Sequence, residues 1–229
     1  MPRVLPACEE AVAEAARLLG RGGLVVVPTH TNYNLVSDPE DAAAIRRVFA
    51  VKQRTKFGPL PLGIADPAAV DRYAEVPPWL DRAVLDRFWP GGVAFILRLR
   101  HPFPAELTCG APTVAVGCTP HPVFAAVIGA AGGALAATSA NRSGQGDIFV
   151  TLEKSLADLG AAVDLYIDGG PAWGARSPLP HRSATIVDAT SAPMRLVRPG
   201  VVPLDTLREA IPGLAVPGPR GGPGPRGGL

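Results

Sequence analysis

The polar residues that could do chemistry lie in two clusters, each at the end of an apolar run. The first is Pro28-Thr29-His30-Thr31-Asn32-Tyr33, and the second is Thr138-Ser139-Ala140-Asn141-Arg142-Ser143-Gly144. Between them, Lys52-Gln53-Arg54 supplies two fixed cations. Hydroxyls, an amide and cations brought together at strand ends can hold several anions in one cleft. The pattern therefore indicates an enzyme for small, charged substrates.

The same residues also allow plainer interpretations. Lys52 and Arg54 could be a cationic helix end that complements the helix dipole. Thr138, Ser139 and Asn141 could cap a helix or build a turn. A metal site is not expected, because metal-ligand spacing is absent among the four histidines, which are His30, His101, His121 and His181.

Length and composition favour one domain. The chain has 229 residues, of which 47% are hydrophobic and 18% charged, enough for one sizeable core. We expect a single domain over residues 1–211. A Pro/Gly/Arg-rich tail over residues 212–229 lacks apolar anchors and is predicted to be mobile. A net charge of +2 is too mild to demand nucleic acid as a partner, so weak or no direct nucleic-acid binding is expected.

Cysteine usage and hydropathy bear on the compartment. Cys8, Cys109 and Cys118 are odd in number and form no Cys-x-x-Cys pair, as is usual in a reducing cytosol. No apolar run approaches the roughly 20 residues that span a bilayer, and the first residues lack a signal-peptide core. We therefore expect a cytoplasmic protein without membrane contact. A Gly-x-x-x-x-Gly-Lys-Ser/Thr phosphate loop is also missing.

Apolar spacing and capping residues predict the helices. Glu9 to Leu19 has helical spacing and ends at glycines. Asp38-Pro39-Glu40-Asp41 is predicted to start a second helix, with the N-cap followed by proline at the first helical position. Ile45, Val48 and Phe49 would share one face of that helix. Further helices are expected after Asp66-Pro67, around Leu80 to Phe88, and at Val123 to Ala131, Thr151 to Leu159 and Pro203 to Ile211.

Short apolar runs between these helices predict strands. Val93 to Leu97 is continuous enough to be a central strand after the Trp89-Pro90-Gly91-Gly92 break. Other strands are expected at Leu24 to Val27, Pro61 to Ala65, Thr113 to Val116, Ala134 to Thr138, Leu165 to Asp168, Ala184 to Val187 and Met194 to Val197. Strands and helices alternate irregularly, which predicts an α/β fold with a mixed parallel and antiparallel sheet.

Seven ordered motifs then give the chain a resemblance to the YrdC/Sua5/YciO family over roughly residues 8–211. They are Pro28-Thr29-x-Thr31-x-Tyr33, Lys52-x-Arg54, Pro90-Gly91, His121-Pro122, Thr138-Ser139-Ala140-Asn141-x-Ser143-Gly144, Ser183-Ala184-Thr185-Ile186-Val187-Asp188 and Arg198-Pro199-Gly200. The resemblance implies a twisted mixed sheet with flanking helices around a positively lined cavity. It also implies a nucleotidyltransferase that makes threonylcarbamoyl-AMP from L-threonine, bicarbonate and ATP, for threonylcarbamoyladenosine in tRNA.

The resemblance further implies roles for particular residues. Lys52 and Arg54 would be catalytic, near bicarbonate and the phosphates. Nucleotide contacts would come from these two and from Ser139, Asn141, Ser183 and Arg198. The amino-acid side would be lined by Thr29, Thr31, Tyr33 and Thr138. Magnesium would arrive with ATP, no tightly bound cofactor is expected, and a downstream transferase is a possible partner.

The chain departs from the family pattern at four positions. Asn34 and Val36 stand where the family usually has glycine, in a segment expected to be a loop after Tyr33. Ala94 loses a hydroxyl, and Gly117 stands where family members commonly carry an arginine. A lost charge-assisted contact weakens anion binding about tenfold to a hundredfold unless another group takes over.

Three hypotheses follow from the matches and departures. The first is synthesis of threonylcarbamoyl-AMP. The second is a divergent paralogue that uses another amine or another carbamoyl donor, such as carbamoyl phosphate. The third is a non-catalytic module that binds a nucleotide or RNA.

Overall fold

The buried apolar runs of the chain become neighbouring strands of one sheet. A computed structural model describes residues 1–53, 58–145, 149–170 and 183–217. The described strands are β1 (Val4–Pro6), β2 (Val25–Pro28), β3 (Tyr33–Ser37), β4 (Leu62–Ile64), β5 (Ala74–Glu75), β6 (Val93–Leu99), β7 (Thr113–Cys118), β8 (Ala134–Ser139), β9 (Leu165–Asp168), β10 (Thr185–Asp188) and β11 (Arg195–Arg198).

This sheet contains both parallel and antiparallel strand pairs. The strand order is β1-β9-β2-β3-β8-β4-β7-β6-β10-β11, and β5 pairs with β6. The pairs β1/β9, β2/β9, β4/β7 and β6/β10 are parallel, whereas β2/β3, β3/β8, β4/β8, β6/β7, β5/β6 and β10/β11 are antiparallel. The predicted α/β fold with a mixed sheet is confirmed.

Helices cover one face of the sheet more completely than the other. They are α1 (Glu9–Leu19), α2 (Ala42–Val51), α3 (Val70–Tyr73), α4 (Arg82–Phe88), α5 (Ala105–Thr108), α6 (Pro122–Ala130), α7 (Leu152–Leu159) and α8 (Leu204–Ala210). The larger core includes α2, α4 and one face of β6, β7, β10 and β11. The smaller core joins α1 and α6 to β2, β3, β8 and β9. The smaller core contains no residue of β6, β10 or β11.

Helix α2 begins three residues later than the sequence predicts. Its N-cap is Asp41, whose carboxylate accepts hydrogen bonds from the backbone N–H groups of Ala43 and Ala44. Asp38 instead accepts from the N–H of Glu40, which makes a separate turn ahead of the helix. The predicted start at Asp38 was therefore wrong, although the predicted buried face of Ile45, Val48 and Phe49 is confirmed. A carboxylate before a helix can close a local turn as readily as cap the helix.

The segment after Tyr33 is a strand rather than a loop. Strand β3 pairs antiparallel with both β2 and β8, and Val36 is fully buried in the smaller core. Asn34 stands opposite Ser139 of β8. Glycine is not required here, because an extended backbone accepts a branched side chain such as valine.

The packed chain also runs past the expected start of the tail. Leu214 is 8% exposed and belongs to the larger core. Ala215 hydrogen-bonds with Met194 and Leu196 through the backbone. The predicted boundary at residue 212 is therefore too early, and residues 218–229 lie outside the described residues. None of the described helices has the length and hydropathy of a bilayer-spanning helix.

Candidate active site

A cavity of about 370 Å³ lies on the sheet face that carries α6, with Phe124 of α6 in its lining, and we call it the main cavity. Its floor crosses four strands in register. Gly63 of β4 stands beside Gly117 of β7, Gly117 beside Ala94 of β6, and Ala94 beside Ile186 of β10. A Cβ on Gly117 would lie 3.6 Å from the Cβ of Ala94, an ordinary contact. Small side chains therefore leave room above the sheet for a ligand.

The loop between β2 and β3 forms one wall of the main cavity. The Thr29 hydroxyl donates to the carbonyl of Asn32 at 2.6 Å and accepts from the N–H groups of Thr31 and Asn32. Thr29 and Thr31 both line the cavity, but both are buried. The Thr29 hydroxyl bonds to the backbone of its own loop, so Thr29 stabilises the shape of this wall. The Thr31 hydroxyl lies 3.2 Å from that of Thr29.

Tyr33 is not among the described residues that line the main cavity. Its ring is 1% exposed and belongs to the larger core. Its hydroxyl donates to the carbonyl of Gly170 at 2.6 Å and accepts from the N–H of Gly169. Burial raises the pKa of Tyr33 to about 12. The Tyr33 side chain thus joins β3 to the segment after β9, and its predicted contact with substrate stays a prediction.

Lys52 is buried at the end of α2 and binds the end of β8 and the loop that follows it. Its ammonium donates to the carbonyls of Ser139 and Asn141, the latter at 2.6 Å, and its own carbonyl accepts from the N–H of Ser143. The side chain is not part of the described cavity lining. A buried cation that binds two carbonyls fixes the loop after β8. Arg54, its predicted catalytic companion, lies outside the described residues.

Some residues of the second polar cluster line the main cavity, and others build the turn beside it. Thr138 and Ser139 line the main cavity at the end of β8, together with Asn34 from the facing strand. Asn141 does not line it in the described chain. Its side-chain amide donates to the carbonyl of Arg142 and, at 3.3 Å, to the side-chain oxygen of Gln145. Asn141 therefore builds the turn, which is the plainer of the two interpretations of this residue.

The far rim of the cavity comes from the predicted nucleotide-binding residues Ser183 and Arg198, which both line it. The Arg198 guanidinium donates twice to the carbonyl of Ala184, at 2.8 and 3.2 Å. Gly200 packs against the backbone of residues 183–185 so closely that a Cβ would collide with the N atom of Thr185. Glycine at this position brings the β11 loop against the start of β10 and sets the rim.

His30 of the first motif also lines the cavity, although no site role was predicted for it from the sequence. Its Nδ1 lies 2.9 Å from the Thr119 hydroxyl, and its buried Nε2 finds no hydrogen-bond partner in the described chain. Burial lowers the pKa of His30 to about 4, and the neighbouring His121 acts in the same direction. The imidazole is therefore neutral at pH 7.

The electrostatics of the main cavity suit an anion. Arg198 is the fixed charge in the described part of the lining, and that part contains no carboxylate. Hydroxyls of Thr31, Thr138 and Ser139 add polar groups. The described residues also hold no group of three or more metal-ligating side chains.

Fold and cavity together define an α/β protein with a polar cavity, bordered by Arg198, over one face of its sheet. The family described as "Sua5_yciO_yrdC: Telomere recombination" matches residues 17–200. The threonylcarbamoyl-AMP synthase of Pyrococcus abyssi is 31% identical over 198 residues, which is 86% of this chain and 56% of that protein. The enzyme of that name from Bacillus subtilis is 29% identical over 87% of this chain and 56% of its own length.

A solved structure agrees with these sequence matches. P. abyssi Sua5 complexed with L-threonine superimposes with a TM-score of 0.83 at 29% identity, covering 94% of this chain and 62% of that one. The chain belongs to the Sua5/YciO/YrdC family, which confirms the resemblance found in its motifs. It spans about half the length of the two relatives named first.

Proposed function

We propose that this chain is a nucleotidyltransferase that makes L-threonylcarbamoyl-AMP from L-threonine, bicarbonate and ATP and releases pyrophosphate. The observation that carries the proposal is the convergence of hydroxyls and a cation on one cavity. Thr31, Thr138 and Ser139 line it from one side, and Ser183 and Arg198 line it from the other. The relatives named threonylcarbamoyl-AMP synthase and the threonine complex of P. abyssi Sua5 support this assignment.

The chemistry explains why such a cavity is useful. The amino nitrogen attacks the carbon of bicarbonate or CO2 to form a carbamate, with loss of water or a proton. A carbamate oxygen then attacks the α-phosphorus of ATP, and the bond to pyrophosphate breaks. The carbamate decomposes in water, so the cavity must hold it beside the nucleotide and exclude solvent. Cations and hydrogen-bond donors offset the repulsion among three anions.

We assign the polar residues of the cavity to the two halves of the substrate. Arg198, Ser183 and Ser139 would contact the nucleotide, and magnesium would enter with ATP. Thr31 and Thr138 would contact the amino acid and bicarbonate, with neutral His30 nearby as a hydrogen-bonding group. Lys52 would act by holding the carbonyls of Ser139 and Asn141 in place. The adenylate would pass to a transferase that acts on tRNA, which fits a cytoplasmic protein.

The direct test is pyrophosphate release that depends on ATP, bicarbonate and L-threonine, with mass spectrometry of the quenched mixture. We expect a mass for threonylcarbamoyl-AMP that requires all three substrates. Arg198→Ala should lower turnover at limiting ATP, whereas Arg195→Ala serves as the matched control. Arg195 lies on the same strand, is exposed and pairs with Asp188 at 3.2 Å, and it does not line the cavity. Absence of product with every amino acid, in folded protein, would contradict the proposal.

A second candidate keeps the reaction and changes the amine or the carbamoyl donor. The row of Gly63, Gly117 and Ala94 favours it, because these side chains leave the floor open for a larger substrate group. A panel of amino acids and other amines, assayed with bicarbonate and with carbamoyl phosphate, separates the two candidates. Pyrophosphate release with threonine inactive and another substrate active would select the second.

A further inference from the structure

A second cavity, of about 320 Å³, lies at the other end of β6. We call it the Trp79 cavity, and its lining includes Glu75, Trp79, Arg98 and Arg100. Ala94, in the floor of the main cavity, and Arg98 are four residues apart on β6 and point to the same face of the sheet. At about 3.3 Å per residue they are separated by about 13 Å, so the two cavities are distinct.

Trp79 offers an exposed aromatic surface in a fixed orientation. Its indole N–H donates to the carbonyl of Ala189 at 3.0 Å, which joins the loop before α4 to the end of β10. The side chain nevertheless remains 45% exposed. Its polar atom is occupied and one ring edge is anchored, so the remaining surface is an apolar face that does not need to reorient to receive a flat ligand.

The two arginines of the Trp79 cavity carry charge that the described protein does not neutralise by contact. Arg98 and Arg100 are exposed, and neither makes an ion pair or side-chain hydrogen bond within the described residues. Many other described arginines do pair, as Arg82 does with Asp71 and Arg87 with Glu209. Glu75 stands opposite Arg98 in the β5/β6 register without forming an ion pair. The lining thus holds two positive groups and one negative group.

We propose that the Trp79 cavity binds a nucleotide, with the base stacked on Trp79 and phosphate held by Arg98 and Arg100. A planar face beside guanidinium groups is the arrangement that recognises bases and phosphates together. The two arginines and Glu75 leave the lining with an excess of one positive charge, so it attracts the negative charge of a phosphate. The nucleotide is either a free mononucleotide or one unit of a single-stranded RNA. This inference does not depend on the function proposed for the main cavity.

The test uses quenching of tryptophan fluorescence by AMP and, separately, by a ten-residue oligoadenylate, in low salt. We expect both ligands to quench emission, and Trp79→Phe to abolish that quenching while calorimetry still detects binding. The Arg98→Gln/Arg100→Gln double variant should bind about tenfold to a hundredfold more weakly. Arg195→Gln, an exposed arginine of the same sheet, should bind like the unaltered protein. Quenching must also persist in Arg198→Ala, which isolates it from the main cavity.

The salt series distinguishes the two sources of nucleotide. Oligoadenylate that binds at least about tenfold more tightly than AMP, with affinity falling steeply as salt rises, identifies an RNA strand. Equal affinities for the two ligands identify a free nucleotide. Absence of quenching by both ligands at millimolar concentration would overturn the proposal and leave a protein interface as the role of Trp79. Equal binding by the double variant and Arg195→Gln would also overturn it.

Discussion

The hairpin side and the floor of the main cavity are built in opposite ways. The hairpin side comprises residues 29–32, Lys52 and residues 139–141, and its polar groups are largely buried and bonded to the protein's own backbone. The floor comprises Gly63, Gly117, Ala94 and Ile186, with Arg198 at its rim. Small residues and an exposed cation replace the buried network there. The hairpin side is held in one conformation by its own hydrogen bonds, whereas the floor and rim leave space and a positive charge for a ligand.

Because of this difference, some motif residues should matter for the stability of the fold and others for ligand binding. A buried polar group that loses its partner destabilises the fold, because its desolvation is no longer compensated. An exposed cation at a cavity rim can be lost with little change in stability, while ligand binding weakens. Substitutions on the hairpin side should therefore reduce stability and activity together, whereas substitutions at the rim should reduce activity alone.

Lys52→Met gives the largest expected effect. It removes the ammonium group that binds two carbonyls and leaves these acceptors without it, in a side chain only 3% exposed. We expect the free energy of unfolding to fall by about 3 kcal/mol. Chemical denaturation measures it, and pyrophosphate release should be lost as well. Lys154→Met is the matched control, since Lys154 makes a surface i,i+4 pair with Asp158. Equal, small losses in both variants would contradict the structural role of Lys52.

Arg198→Ala should show the reverse pattern. We expect the KM for ATP to rise about tenfold to a hundredfold, because a charge-assisted contact to an anion is lost. The denaturation midpoint should stay close to that of Arg195→Ala, measured in parallel. A large loss of stability in Arg198→Ala would erase the proposed contrast between rim and hairpin side.

Local sequence signals predicted most of the fold. The Ile45, Val48 and Phe49 face of α2 follows from helical spacing, and the apolar run from Val93 predicts β6. Strand β3 was missed, because its sequence Tyr-Asn-Leu-Val-Ser places a polar residue within a strand that is buried on both faces. Such strands lack the alternation that marks a half-buried strand.

Local sequence signals could not tell which site residues line the cavity and which ones hold the neighbouring backbone in place. The partner of the Tyr33 hydroxyl is 137 residues away, and one carbonyl bound by Lys52 is 89 residues away. Nothing within a motif tells which way such a side chain turns, since that depends on tertiary packing. Thr31, Thr138, Ser139, Ser183 and Arg198 do line the cavity. These five predicted residues share one cavity, Tyr33 is not in its described lining, and the role predicted for each residue stays a prediction.

His30 makes the stability of the folded protein depend on pH. Burial lowers its pKa to about 4, whereas an unfolded histidine titrates near 6.5. As pH falls from 6.5 towards 4, the unfolded chain takes up a proton that the folded chain does not, so stability is lost in that window. We expect about 2 kcal/mol between pH 7.5 and pH 5 from this residue.

The measurement is urea denaturation at both pH values for the unaltered protein and for His30→Asn. Asparagine retains a polar atom near Thr119 and does not titrate. The loss of stability on acidification should shrink by about that 2 kcal/mol in the variant, while the contribution of His121 remains in both proteins. An unchanged acid response in His30→Asn would show that other groups control it.

Gly117→Ala gives the smallest expected change in stability and tests the openness of the floor. The new methyl would meet the Ala94 Cβ at 3.6 Å, so it fits, and loss of glycine's freedom in the unfolded chain should stabilise the protein by about 0.5 kcal/mol. The KM for the amine substrate should rise, because the methyl enters the cavity. Gly63→Ala is the matched control on the neighbouring strand. Its methyl would lie 2.9 Å from the Phe124 ring, so we expect it to destabilise by about 1 kcal/mol or more. If both variants destabilise equally, the floor at Gly117 is not open, and the contrast between the floor and the hairpin side fails there.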